Sequence, residues 1–204
     1  MIRSRSKNIL HAMIMCFVLT LSYVSNGYAG DSNPTQAQLN QVAPDFSLQD
    51  LNGKTHTLSQ YKGKVVVLEW TNHTCPFVVR HYKAKTMTAL AQKHKDVVWL
   101  TIDSTHFAKA DVLKKWAQKE GVKTLLTDAS GSVGKLYAAR TTPHMFVINK
   151  EGKLVYMGAI DDDPYGDKKT PKNYVDQVLT QLKNGQKVTQ GHQKAYGCSV
   201  KYKR

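Results

Sequence analysis

The sequence predicts a single α/β domain in which strands alternate with helices and pack as layers. Three observations carry this. Val65 to Trp70 is a β-branched, apolar run that reads as a buried strand and feeds a helix opened by Pro76. "VVWLTIDS", residues 97–104, is a second buried strand followed by a helical stretch. "HMFVINKEGKLVYMGAI" reads as a hairpin, two apolar strands around the turn Lys150-Glu151-Gly152-Lys153.

The other elements follow in chain order. Arg3, Arg5 and Lys7 precede an apolar stretch, Ile9 to Leu21, that is short for a membrane span. Gly27-Tyr28-Ala29 supplies the small residues that a signal peptidase reads. Residues 1–29 therefore read as a signal peptide, which places the chain in the periplasm or otherwise outside the cytoplasm. Cys16 leaves with it, and no stable membrane span remains. An uncleaved anchor is the competing reading, and His11 within the apolar run argues against it. Residues 30–41, "GDSNPTQAQLNQ", read as a flexible polar leader. "APDFSLQDLNGKTHTLSQYKGK" gives two short strands around Asn52-Gly53 and a turn at Lys62-Gly63. From Pro76 one helix is expected to reach about His94, with Phe77, Tyr82, Met87, Leu90 and Ala91 near one face. A helix from about Ala108 to Lys119 stops at Gly121. "KTLLTD" is a short strand and "SVGKLYAA" a short helix. Pro171 to Lys183 is the last helix, with Tyr174, Val175, Val178 and Leu182 as its apolar stripe. Residues 185–204 form a charged tail that carries Cys198 and is mobile unless tied down.

The chain holds 29 Lys and Arg against 15 Asp and Glu, a balance of +14 that falls by three, to +11, without residues 1–29. The lysines are scattered rather than interleaved with aromatics, and export argues against nucleic acid as a partner. The surplus reads as a solvated basic surface.

After processing, only Cys75 and Cys198 remain, and two exported thiols either form one structural disulfide or stay reactive. Cys75 stands between a strand end and a helix start, beside unpaired N–H groups and the positive end of the helix dipole. That dipole contributes about 0.3–2 kcal/mol, enough to lower a thiol pKa by roughly 0.2–1.5. His73 and Arg80 are close enough in sequence to add to the effect. The polar run Thr71 to Thr74 favours a reactive thiol over a buried structural one.

The succession "VVVLEW–TNHTCP–helix", "TTPHMFVI" and "KEGKLVY" resembles a thioredoxin-fold redoxin. More narrowly, it resembles the peroxiredoxin-like members of the alkyl hydroperoxide reductase/thiol-specific antioxidant family, with "APDFSL" like their opening strand. The likeness runs from about Val42 to Leu182 and bounds a redoxin domain at 42–184. It implies a thioredoxin-like fold: a central mixed sheet flanked by helices. Cys75 matches the first, nucleophilic cysteine of the family's CxxC, Glu69 its buried acid, and Pro143 in "RTTPH" its cis-proline beside the active cysteine. Apart from the family, a carboxyl at the buried end of a strand has a raised pKa and can exchange protons with a thiol through water.

The departures are informative. Val78 replaces the second cysteine of CxxC, so a local dithiol cycle is impossible. Peroxiredoxins carry Thr three residues and Pro seven residues before their cysteine, where this chain has Asn72 and Leu68; that argues against a fixed peroxide-binding pocket. Cys198 is the remaining candidate partner. It can resolve a mixed disulfide or sulfenic acid on Cys75, staple the tail through a stable bridge, or stay free for an intermolecular bond.

His73, His81, His106 and His144 invite a copper or zinc reading, which isolated loop histidines rarely satisfy, and no metal is expected. Asp161, Asp162 and Asp163 read as a solvated turn rather than a calcium site. Asn72-His73-Thr74 fits a glycosylation sequon, although a glycan there would block the thiol. The expected protein is an enzyme, an exported thiol-disulfide oxidoreductase in which Cys75 attacks and Cys198 resolves. Its partners are a thiol or disulfide substrate, protein or small molecule, and an external thiol reductant. No organic cofactor is implied. The alternatives are a thiol peroxidase and a non-catalytic metal- or partner-binding module.

Overall fold

β3 (Val66–Thr71) is buried along its whole length and lies inside the sheet. It runs parallel to β4 (Val98–Asp103) on one side and antiparallel to β7 (His144–Ile148) on the other. In this computed structural model Met1 and residues 36–203 are described. With β1 (Ser47–Asp50), β2 (Thr55–Thr57), β5 (Leu125–Thr127) and β8 (Leu154–Gly158), they build a seven-stranded mixed sheet in the order β2-β1-β5-β4-β3-β7-β8. The expected signal peptide, and the leader up to residue 35, lie outside the described residues apart from Met1.

Alternation along β3 divides the core into two layers. Val66, Leu68 and Trp70 face a cluster with Leu100, Ile102, Phe146, Ile148 and Tyr137. On the other face Val67 packs with Met145, Val147 and Tyr156, and with helices α1 (Pro76–Lys83), α2 (Thr86–Lys93) and α5 (Tyr174–Lys183). α3 (Ala110–Glu120) ends at Gly121 as the sequence predicts, and α4 (Ser132–Leu136) is the expected short helix. The first layer is pinned by a buried chain of hydrogen bonds. Trp70 Nε1 donates to Ser104 Oγ at 3.0 Å, and Ser104 donates to Asp128 at 2.7 Å. Asp128 also accepts the Gly134 N–H of α4 at 2.8 Å.

Two helices differ from expectation. The helix expected from Pro76 to His94 breaks at Lys85, whose φ is 55°, and becomes α1 and α2. No Gly or Pro marks the break; Ala84 and Lys85 instead turn their N–H groups back onto the carbonyls of Arg80 and Tyr82. The last helix starts at Tyr174 rather than Pro171, because the Asn173 side chain caps it by accepting the Asp176 N–H at 2.8 Å.

Both ends of the described chain are tied to the sheet. Asn40 and Gln41, expected in the leader, exchange backbone bonds with Leu154 of β8, and Ala37 N–H donates to Leu136 at 2.8 Å. The tail 185–203 crosses the same edge strand. Met157 N–H donates to Gly191 and Gln193 N–H donates back to Met157. Gly158 has φ 146° and no room for a Cβ against the Gln193 backbone, so the tail passes at backbone distance. Beyond it, β9 (Cys198–Ser199) pairs antiparallel with β6 (Thr141–Thr142). Tyr202 then donates to the Ala139 carbonyl at 2.7 Å. The bonds of Asn40, Gln41, Gly191 and Gln193 cover the edge of β8, which would otherwise be open. Among the described residues no helix is long and apolar enough to cross a membrane.

Asp128→Ala should strand the Ser104 hydroxyl and the first amides of α4 in the core. The expected cost is about 2–4 kcal/mol in denaturant unfolding; a change below about 0.5 kcal/mol would show that this chain of bonds does not hold the layer.

Candidate active site

The loop after β3 is set by Asn72. Its amide oxygen accepts both the Thr74 N–H and the Thr74 hydroxyl at 2.7 Å, and its amide nitrogen donates to Thr105 Oγ1 at 2.8 Å. Asn72 is buried and fully committed, so its sequon is closed to a glycan in the folded chain. The loop delivers Cys75 to the N-cap of α1, in extended conformation, with Pro76 as the first helical residue. The Val78 amide of the open first turn faces the sulfur. Across from the helix, the Cys75 thiol donates to the Thr142 carbonyl at 2.9 Å. The Thr142-Pro143 peptide is cis, as the resemblance implies.

The tail brings the second cysteine to the same place. β9 lies on β6 with Cys198 opposite Thr142 and Ser199 opposite Thr141. Gly197 makes this approach possible: its φ is 131°, and a Cβ there would overlap the Thr142 carbonyl. One residue earlier, Tyr196 anchors the strand. Its ring packs against Phe77 of α1, its hydroxyl donates to the buried Asp161, and His81 Nε2 lies 2.9 Å from that hydroxyl. Both cysteines are free thiols. Cys75 lies beneath the tail with 2% of its surface exposed, while Cys198 is only part-buried.

The two sulfurs titrate as neighbours. Burial pushes the Cys75 thiol up, but the Cys198 thiol, the Thr142 hydroxyl and the Val78 and Cys198 amides donate toward it and hold it below the ordinary thiol value. Its bond to the Thr142 carbonyl requires the protonated thiol and pulls the other way. Cys198 is pushed up to about 11, by burial and then by its hydrogen bond to Cys75 and the charge there. When the pair gives up one proton, the charge is therefore favoured on Cys75 over Cys198.

Glu69 is fully buried in the layer that holds Cys75. Its carboxyl accepts from Tyr82 Oη at 2.9 Å, Trp99 Nε1 at 2.8 Å and Thr101 Oγ1 at 3.4 Å, and has no hydrogen bond to Cys75. Burial raises its pKa to about 7 against the pull of those three donors. Above it on the same face, Thr71 and Asp103 are register partners, and Thr71 Oγ1, Asp103 Oδ2 and His73 Nδ1 are buried without a hydrogen-bond partner. Burial also raises the Asp103 carboxyl, with nearby His73 opposing it. A second buried carboxyl thus lies between Glu69 and the cysteine loop.

Several sequence candidates turn elsewhere. Arg80 donates to the Asp163 and Pro164 carbonyls rather than adding to the field at Cys75. His144 accepts the Arg140 N–H and packs on Phe146, in the layer on the far side of the sheet from Cys75. The aspartates expected as a solvated turn are structural: Asp161 and Asp163 are each 5% exposed, and Asp163 accepts the Gly166 and Asp167 amides. Tyr196, Asp103 and Gly197 are site residues that sequence reasoning missed, while His81, weighed as a metal ligand, and Asp161, expected in a solvated turn, serve instead to hold Tyr196. Only Gly197, next to the cysteine, left a signal.

Comparison with known proteins places this geometry among relatives. The family model described as Redoxin matches residues 38–178. The thiol-disulfide oxidoreductase ResA of Bacillus cereus is 25% identical over 154 residues, covering 74% of this chain and 87% of its own length. An uncharacterized conserved protein from Geobacillus kaustophilus superposes with a TM-score of 0.73 at 26% identity, over 81% of this chain and 93% of that one. The exposed lipoprotein thioredoxin of Streptococcus pneumoniae does so with a TM-score of 0.52 at 31% identity, over 68% of this chain and 99% of its own.

Two outcomes test the site. Folded Glu69 keeps its proton to about pH 7 whereas its ordinary value is 4.5, so between those values the folded state binds more protons and loses stability as pH rises. Unfolding of Glu69→Gln followed from pH 4 to 8 should gain on the unsubstituted chain by on the order of 3 kcal/mol. A constant difference would mean the carboxyl titrates normally. Gly197→Ala should lift β9 and speed iodoacetamide modification of Cys75 by about tenfold or more; an unchanged rate would show that the tail does not cover the thiol.

Proposed function

The chain belongs to the Redoxin family and has a thioredoxin-like fold, and from that premise we propose that it is an exported thiol-disulfide oxidoreductase working through Cys75 and Cys198. The observation that carries the reading is the pairing of Cys198 opposite Thr142, whose carbonyl accepts the Cys75 thiol. A chain that lacks CxxC thereby regains a dithiol from 123 residues along the sequence.

In the reduced protein the tail lifts and the Cys75 thiolate attacks one sulfur of a substrate disulfide. The substrate S–S bond breaks, its other sulfur leaves as a thiolate and takes up a proton, and a mixed disulfide forms on Cys75. Cys198 then loses its proton and attacks the Cys75 sulfur, expelling the second substrate thiolate. The products are a Cys75–Cys198 disulfide and two substrate thiols, a transfer of two electrons. An external thiol returns the pair to the reduced state. The lowered pKa of Cys75 and the raised one of Cys198 favour the thiolate on Cys75 over that on Cys198. Glu69, with a pKa of about 7, exchanges protons with the pair as the charge moves. Pro143 shapes the groove in which a cysteine-bearing strand lies. The basic and apolar pattern of residues 1–29 supports export, and the layout of signal peptide, leader, redoxin domain and tail goes with that reading.

The test is disulfide reduction of a model protein, such as insulin, with a small thiol as electron source. Cys75→Ser should lose at least about 100-fold in rate and Cys198→Ser about tenfold or more. Unchanged turnover in Cys75→Ser would overturn the reading. Peroxide consumption dependent on Cys75, without disulfide reduction, would establish the narrower peroxidase instead.

A further inference from the structure

We propose that, once the pair is oxidised, Cys198 rather than Cys75 is the sulfur that an outside thiol attacks. The inference rests on the thiol-disulfide reading above and assigns the entry point of its reductive half. Cys75 is closed on every side: 2% exposed, bonded to the Thr142 carbonyl, set on the N-terminus of α1 and roofed by β9. In the reduced protein the roof is held by reversible contacts and can lift. A Cys75–Cys198 disulfide removes that freedom, because it ties β9 to the helix it covers. Cys198, at the part-buried outer side of the pair and next to exposed Ser199, is then the sulfur within reach.

Leaving-group chemistry points the same way. In thiol-disulfide exchange the sulfur with the lower thiol pKa leaves faster. With Cys198 bound in a disulfide its thiol no longer donates, but the Thr142 side chain and the Val78 and Cys198 amides still favour the Cys75 thiolate, whereas burial disfavours that of Cys198. The step is therefore attack of R–S⁻ on Cys198, with cleavage of the Cys198–Cys75 bond. It yields R–S–S–Cys198 and the Cys75 thiolate in its cradle of donors. A second R–S⁻ attacks the sulfur of R in the mixed disulfide, releasing R–S–S–R and Cys198, which takes up one proton. Two thiols are oxidised and one protein disulfide is reduced. The tail thus plays two parts: it covers the nucleophile, and in the oxidised state it presents the electrophile. The external reductant has to fit only a thin strand at the surface, which suits a small thiol or an exposed cysteine on a protein.

Oxidised full-length protein, its internal disulfide verified by intact mass, is mixed with glutathione and quenched in acid within the first turnover. Peptide mass spectrometry then locates the adduct. Glutathione on the Cys198 peptide in roughly tenfold or greater excess over the Cys75 peptide supports the assignment. Adduct mainly on Cys75, or shared equally, overturns it while leaving the dithiol reading intact. Failure to form the internal disulfide overturns both. Gly197→Ala, with a loosened roof, should shift the adduct toward Cys75; an unchanged distribution would show that coverage by the tail does not select the sulfur.

Discussion

The Thr142 peptide makes two contacts on which the site depends. Its carbonyl accepts the Cys75 thiol at 2.9 Å, and its strand pairs with the strand that carries Cys198. Each backbone bond of so short a ladder is worth about 0.5–1.5 kcal/mol. The tail is therefore held by its sum of contacts and not by the pairing alone: the Tyr196 hydroxyl on Asp161, Gly191 and Gln193 on β8, and Tyr202 on Ala139. An arrangement of many weak bonds holds a strand in place and still lets it open. A thiol that must be both protected and reached needs that combination.

The sheet provides the rigid part. β3 is fixed between β4 and β7, and its alternation sends Trp70 into one layer and Glu69 into the other. Trp70, through Ser104 and Asp128, locks the far layer to α4. Glu69 takes three donors and keeps a pKa of about 7, which places a titrating carboxyl behind the cysteines at no cost in net charge below that pH. The strands thus end at the chemistry, while the cover over it is the tail, held by short separate contacts.

Much of this was legible in the sequence. The apolar run before Cys75 and the proline after it fixed a strand, a loop and a helix start. The hairpin around Gly152 and the stop at Gly121 were marked by their turn residues. Glu69 was visible as an acid in a run too apolar to be exposed. Other features left no local trace. The break at Lys85 contains no helix breaker and comes from a reversed backbone turn. β6 and β9 are two residues each, too short for any periodicity, and their partners lie more than 50 residues apart. Arg80, expected to act on Cys75, and Asp161 to Asp163, expected as a solvated turn, turn elsewhere because their partners are loops that only the fold brings near. Local sequence placed Cys75 between strand and helix; the cover over it depends on long-range pairing.

A redox titration of the full-length protein against glutathione buffers, with thiols trapped and each cysteine quantified by mass spectrometry, tests the central claim most directly. If Cys75 and Cys198 form one working dithiol, both thiols disappear together in a single two-electron transition, changing tenfold in ratio for about every 30 mV. Two cysteines that oxidise at separate potentials, or a Cys75 that forms only mixed disulfides with glutathione, would contradict the account.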